Sequence, residues 1–222
     1  MKKWLLAACI MQSCLAVAQE EPNTVFKSTQ PSVNVDYSNF YSHVRKLSAE
    51  DTNALQFAFG FKHVRTGALC HITSGYIHTQ KQDIPLTISA EQRFTVPSEK
   101  ALKLANAKVA LTIIEPANQC DMSVQLETTP QWLKSEYSSE ELALLFGQYQ
   151  TFFDDMGSFL AFLMPSVDGL VIHFSDHKLT RKLENGLQID NGRLLLDKRW
   201  LGEEMPLSLP YVPLRITAKT TR

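Results

Sequence analysis

The chain has 222 residues, 22 basic and 23 acidic, with a net charge of −1 and 44% hydrophobic residues. No basic excess is present to attract nucleic acid or anionic lipid. The length suffices for one large domain or two small ones, each able to bury a core.

Residues 1–18 read as a secretory signal peptide. Lys2 and Lys3 precede an apolar core, and Ala16-Val17-Ala18 forms a small-x-small cleavage site. Leu6-Ala7-Ala8-Cys9 imitates a lipoprotein box but leaves an apolar core of about four residues, short of the roughly 7–15 a signal needs. Cleavage after Ala18 is therefore the expectation, and lipidation at Cys9 is not. No later stretch has the ~18 uninterrupted apolar residues of a membrane span, because Asp154 and Asp155 break the best candidate. The reading is a periplasmic protein without a transmembrane span, carrying 20 basic and 23 acidic residues once Lys2 and Lys3 are removed. Cleavage also removes Cys9 and Cys14, leaving Cys70 and Cys120. In an oxidising compartment two cysteines default to one structural disulfide. A redox pair or a pair of metal ligands is the other reading, and neither cysteine lies in a C-x-x-C motif.

Residues 19–31 are polar and aperiodic, a flexible leader. Residues 33–37 alternate as a first strand, and Ser38 opens a short helix with Phe40, Tyr41, Val44 and Leu47 on one face. From Leu55 the period becomes two. Phe57, Phe59 and Phe61 form an aromatic face that either fills a core or lines an apolar pocket. Residues 68–78 read as the hairpin partner of this strand, and residues 86–89 and 93–96 as a second pair. A helical turn around Leu102, an apolar strand over 108–115 and an alternating strand over 122–126 follow.

Residues 138–164 predict one long central helix. Ser138 and Glu141 have capping-box spacing. Leu142, Leu145, Tyr149, Phe152, Met156, Phe159 and Leu163 share one face, widened by Phe146, Phe153 and Leu160. Gly147 and Gly157 cost about 1 kcal/mol each inside a helix, which points to close packing of a neighbouring backbone or to a bend. Beyond Pro165, strands are expected at 170–174, 187–189, 193–196 and 214–218, with Asn185-Gly186 and Asn191-Gly192 as hairpin turns. Residues 86–96 resemble residues 187–197, which reads either as two related β units, 55–127 and 168–222, joined by the helix, or as two ordinary hairpins that look alike, in both cases within a single α+β domain over 32–222.

The search for chemistry yields little. His173, Asp176 and His177 form the densest cluster and are the candidate metal ligands, although they straddle a strand end. His63, His71 and His78 lie in the first expected hairpin. No G-x-S-x-G, S-x-x-K, H-E-x-x-H or glycine-rich phosphate loop occurs. Asp154 and Asp155 point about 100° apart on a helix and mark its solvent side. No catalytic residue and no cofactor is expected.

Residues 152–165 and 167–174 resemble a family of exported gammaproteobacterial proteins described only as a domain of unknown function. So do Tyr37-Ser-Asn-Phe-Tyr41, the Thr66-Gly67…Cys70 stretch and Asn118-Gln-Cys-Asp-Met-Ser123. The resemblance implies an envelope location and that Cys70 and Cys120 belong together, and it transfers no activity. The expected function is a non-catalytic envelope binding module whose partner is another envelope protein, a glycan or an apolar ligand, with no role for nucleic acid. The alternative is a hydrolase or metal-dependent enzyme using His173, Asp176 and His177.

Overall fold

The computed structural model describes residues 32–47, 50–157 and 166–221, so the expected signal peptide and leader lie outside the described residues. Its elements are antiparallel strands with interspersed helices, an α+β arrangement.

Strand β1 (Ser32–Asp36) runs directly into helix α1 (Tyr37–Val44), where Tyr37, Phe40 and Val44 are buried at intervals of three and four. Strands β2 (Leu55–His63), β3 (Ile72–His78) and β4 (Asp83–Pro85) follow. Then come helix α2 (Lys100–Leu104) and strands β5 (Lys108–Ile113) and β6 (Cys120–Thr128). Val109, Ala110 and Leu111 are buried on both faces of β5, which suits its place inside a four-stranded sheet of order β1-β5-β3-β4.

The expected hairpin between residues 55–62 and 68–78 is corrected. It closes over only a few residues, with an isolated bridge between Lys62 and Leu69 and a bond from the Cys70 N–H to the Phe61 carbonyl. Beyond Cys70 the chain leaves, because Ile72 and Ile77 bury against β5. The ladder partner of β2 is β6, in register from Leu55 opposite Thr128 to His63 opposite Cys120. Cys70 is disulfide-bonded to Cys120, with Cα atoms 6.4 Å apart.

Strand β7 (Glu136–Tyr137) precedes helix α3 (Ser139–Gly157). The capping box forms as the spacing predicts. The Ser138 N–H donates to Glu141 Oε2 (3.0 Å) and the Glu141 N–H to Ser138 Oγ (3.3 Å). Leu142, Leu145, Tyr149 and Phe152 are buried, whereas Met156 is exposed. The described helix is thus shorter than the 138–164 rod expected, and Phe159, Leu160 and Leu163 lie outside the described residues. No described helix is long and apolar enough to cross a membrane.

Strands β8 (Ser166–His173), β9 (Arg181–Lys182), β10 (Gln188–Asp190) and β11 (Arg193–Asp197) precede helix α4 (Lys198–Leu201). Strands β12 (Leu207–Ser208) and β13 (Arg215–Thr221) complete the chain. They form a five-stranded sheet of order β13-β8-β11-β10-β9, with β12 pairing β7 apart from it. Asn191 and Gly192, both at positive φ, make the two-residue β10–β11 turn that Asn-Gly predicts.

The two segments that look alike fold differently. Residues 187–197 are the β10–β11 hairpin, while residues 86–96 form a tight turn without a strand ladder. The 55–127 stretch is divided between two sheets of unlike order. Two short segments with alternating residues and a polar turn look alike in sequence, yet their partners decide what they become. The buried aromatic and aliphatic side chains join in one hydrophobic cluster drawn from all three larger β ladders, α1 and α3.

Candidate functional site: a charged cleft between two ladders

The two faces of β2 are unlike. Phe57, Phe59 and Phe61 are buried, Phe59 and Phe57 packing against Phe40, Phe94 and Phe152, so this aromatic face is core. The opposite face carries Gln56, Ala58 and Gly60, paired with Glu127, Gln125 and Ser123 of β6. Small and polar side chains there leave room for a second layer.

That layer is the turn over residues 89–93. The Ser89 N–H donates to the Arg93 carbonyl (2.7 Å) and the Gln92 N–H to the Ser89 carbonyl (2.9 Å), while Gln92 Oε1 accepts from the Ile72 N–H (2.7 Å). Gly60 permits the close approach. A Cβ on it would lie 3.0 Å from the Gln92 carbonyl oxygen and 3.6 Å from Arg93 Cγ. Phe94 then exchanges backbone hydrogen bonds with Phe59 at 2.8 and 2.9 Å. Arg93 is thereby fixed over the polar face of the β2–β6 ladder.

Arg93 is only 8% exposed, and its Nη1 is buried with no hydrogen-bond partner among the described residues. A buried guanidinium keeps its charge and needs acceptors, so this position is costly. Burial lowers its pKa and the Glu127 charge opposes that. Glu127 accepts from Gln56 Nε2 (3.0 Å). Burial raises its carboxyl above the usual carboxylate range, with the Gln56 hydrogen bond and the Arg93 charge opposing. The two groups attract one another, yet they form no salt bridge.

The far wall is β13. Arg215 donates through Nη1 to Glu91 of the turn and through Nη2 to His173 Nδ1 (3.5 Å), and its Nε is buried without a partner among the described residues. Glu91, Arg93, Glu127 and Arg215 line one cavity of about 270 Å³, with Phe94, Leu133 and Leu214 as apolar neighbours. Arg215 also lines a second hollow of about 340 Å³ beside His173 and Thr217, so its side chain partitions the two. Tyr149 of α3 ties the walls together. Its hydroxyl donates to the Ile216 carbonyl (2.7 Å) on β13 and shares a hydrogen bond with Thr128 Oγ1 (3.2 Å) on β6. Burial raises the Tyr149 pKa and keeps the phenol protonated.

His173 points into this region but not at a metal. Arg215 has only donors to offer, so Nδ1 accepts and Nε2–H donates to Thr217 Oγ1 (3.1 Å). Burial first, then the positive charges of Arg193 and His177, hold the imidazole pKa down to about 4. Asp176 instead accepts from the Lys178 N–H (2.8 Å) in its own turn, and both Asp176 and His177 are exposed. The ligand atoms of His173, Asp176 and His177 do not converge. Among the described residues the convergent set of three is Cys70, Glu115 and Cys120, and its sulfurs are joined in the disulfide. His63 bonds Gln119 (3.1 Å) and His78 bonds Asp83 (2.6 Å) at separate places, and His71 joins neither of them. Asp154 and Asp155 are exposed, as their helical positions predict. Gly147 has open space where a Cβ would stand, which corrects the close packing expected there.

The residues that matter here escaped the sequence reading. Gln56, Arg93, Glu127 and Arg215 are distant in sequence and match no motif. One signal was present: the uniformly small or polar row Gln56, Ala58 and Gly60 behind an aromatic face, which implies that something polar covers it.

A family model described as Protein of unknown function (DUF2987) matches residues 29–174. No curated protein and no solved structure matches the chain. The matched segment contains Gln56, Glu91, Arg93, Glu127 and His173, while Arg215 follows it.

Proposed function

Because the chain belongs to the DUF2987 family of proteins of unknown function, it inherits no activity, and we propose that it is an exported, periplasmic binding module. Its ligand is a small polar molecule held in the cleft between the β2–β6 ladder and β13. The signal-like residues 1–18 and the Cys70–Cys120 disulfide support export. The observation that carries the binding role is Arg93, which is 8% exposed, lines a cavity of about 270 Å³ and keeps a buried Nη1 with no hydrogen-bond partner among the described residues. The single domain over 32–222, with α3 as the scaffold between its β ladders, belongs to the same proposal.

The test is expression of the full chain in a Gram-negative host, followed by N-terminal sequencing of the protein released by osmotic shock. The expected terminus is Gln19. Thermal shift of that protein is then measured against a set of small polar metabolites, alongside Arg93→Gln. Stabilisation lost in the variant supports the cleft. Stabilisation retained in full by the variant, or none with any compound, overturns it.

A further inference from the structure

We propose that the cleft binds a zwitterion of the free α-amino-acid class, its carboxylate on Arg93 and its ammonium on Glu127. The inference rests on the binding role proposed above and specifies its ligand. Four charged side chains line the cavity: Glu91, Arg93, Glu127 and Arg215. Glu91 and Arg215 neutralise each other in a direct ion pair. That leaves Arg93 and Glu127, opposite in sign and joined by no salt bridge, Arg93 buried and Glu127 half-buried.

Their opposite signs decide the ligand. Both line the same cavity, each feels the charge of the other, and no salt bridge joins them. A simple anion entering the cavity would satisfy Arg93 but meet the Glu127 carboxylate. A simple cation would satisfy Glu127 but meet Arg93. A molecule that carries both charged groups on one carbon satisfies both side chains at once, and burial makes each such bond stronger than it would be at the surface. The cavity, about 270 Å³, is at the small end for ligand sites, which suits one amino acid rather than a long peptide. Phe94, Leu133 and Leu214 supply an apolar wall for a side chain or methylene group.

The experiment is calorimetric titration of the oxidised protein with glycine, L-alanine, L-leucine, L-glutamate and L-lysine. The best binder is then repeated as its amide, which lacks the carboxylate, and as its N-acetyl derivative, which lacks the ammonium. Both blocked forms are expected to bind roughly ten- to hundredfold more weakly, the worth of a hydrogen bond to a charged group. Glu127→Gln should reduce the penalty of N-acetylation and leave that of amidation. Arg93→Gln should do the reverse. The blocked ligands on unaltered protein keep the test valid if a variant fails to fold. Equal binding of free and blocked forms overturns the zwitterion. So does binding of acetate or glucose, but not of the amino acids, in an Arg93-dependent way, and that result leaves the cleft standing as a binding site. No heat with any of these probes and no thermal shift with the wider set removes both proposals.

Discussion

An arginine that is kept for a ligand should cost the unliganded protein stability, and Arg93 allows that cost to be measured. The perturbation is the double substitution Arg93→Met with Glu127→Gln. Methionine retains much of the arginine stem, and the glutamine oxygen still accepts from Gln56 Nε2, now 3.0 Å from the Glu127 carboxylate. What disappears is one buried cation with an unpartnered Nη1 and one carboxyl whose ionisation burial opposes. An unsatisfied buried polar group costs about 1–3 kcal/mol, and neutral replacement of buried opposite charges is worth about 0–4 kcal/mol. The expected gain is therefore about 1–3 kcal/mol. For a protein of this size that raises the melting temperature by roughly 2–4 °C per kcal/mol. Urea denaturation of the oxidised protein checks it, the midpoint moving up at unchanged m. A loss of more than about 1 kcal/mol would refute the reasoning. Arg93 would then be part of the frame, holding the 89–93 turn to the ladder through ordered water, and would not be a group awaiting a ligand.

The His173 shift carries a definite sign. Between its folded pKa of about 4 and its ordinary value of 6.5, the unfolded chain binds a proton that the folded protein does not, so stability falls as pH is lowered through that window. Allowing for the partly exposed ring, the fall from this group is roughly 2 kcal/mol, and His173→Gln should flatten the measured slope; an unchanged slope would show that other groups set it. Glu127 acts oppositely, because its raised pKa makes stability fall as pH rises through that value, so Glu127→Gln should steepen the net rise with pH. Gly147→Ala should stabilise by about 0.5–1 kcal/mol in the same denaturation assay, since a Cβ there meets open space and glycine is entropically costly in a helix. A loss of stability would mean that a neighbour does approach that face.

What the sequence made legible was local. The Ser138–Glu141 capping box, the α3 stripe from Leu142 to Phe152 and the Asn191-Gly192 turn each depend on residues a few positions apart, and each forms as the spacing predicts. The failures share a cause as well. Residues 68–78 are expected to pair with β2 because they come next, but Ile72 and Ile77 are buried on a strand that pairs with β5, and β2 pairs with β6 at a sequence distance that periodicity cannot see. The likeness of residues 86–96 to 187–197 failed for the same reason. A short alternating stretch becomes a strand only when a partner edge is present, and Phe94 finds only a single bridge to Phe59. The histidine cluster attracted attention as a metal site because its residues are close in sequence. In space, His173 turns toward Arg215 and Thr217 while Asp176 caps its own turn.

The cleft is built by joining segments that have nothing in common locally, and the disulfide is part of that construction. Cys70 and Cys120 are 50 residues apart, and on the loop-entropy model closing such a loop stabilises the fold by about 4 kcal/mol. The closed loop contains the 89–93 turn with Glu91 and Arg93. It ends where β6 begins, eight backbone pairs ahead of Thr128 along the ladder to β2. Three of the four charges of the cleft therefore sit on or directly beyond a segment anchored at both ends. Arg215, the fourth, enters from outside that loop on β13, and Tyr149 secures this wall to Thr128 of β6. Within that frame Arg93 and Glu127 line one cavity without forming a salt bridge. Glu91 and Arg215, in the same cavity, do pair directly. That the first pair stays unjoined beside a second that closes is the physical reason to seek a ligand between Arg93 and Glu127.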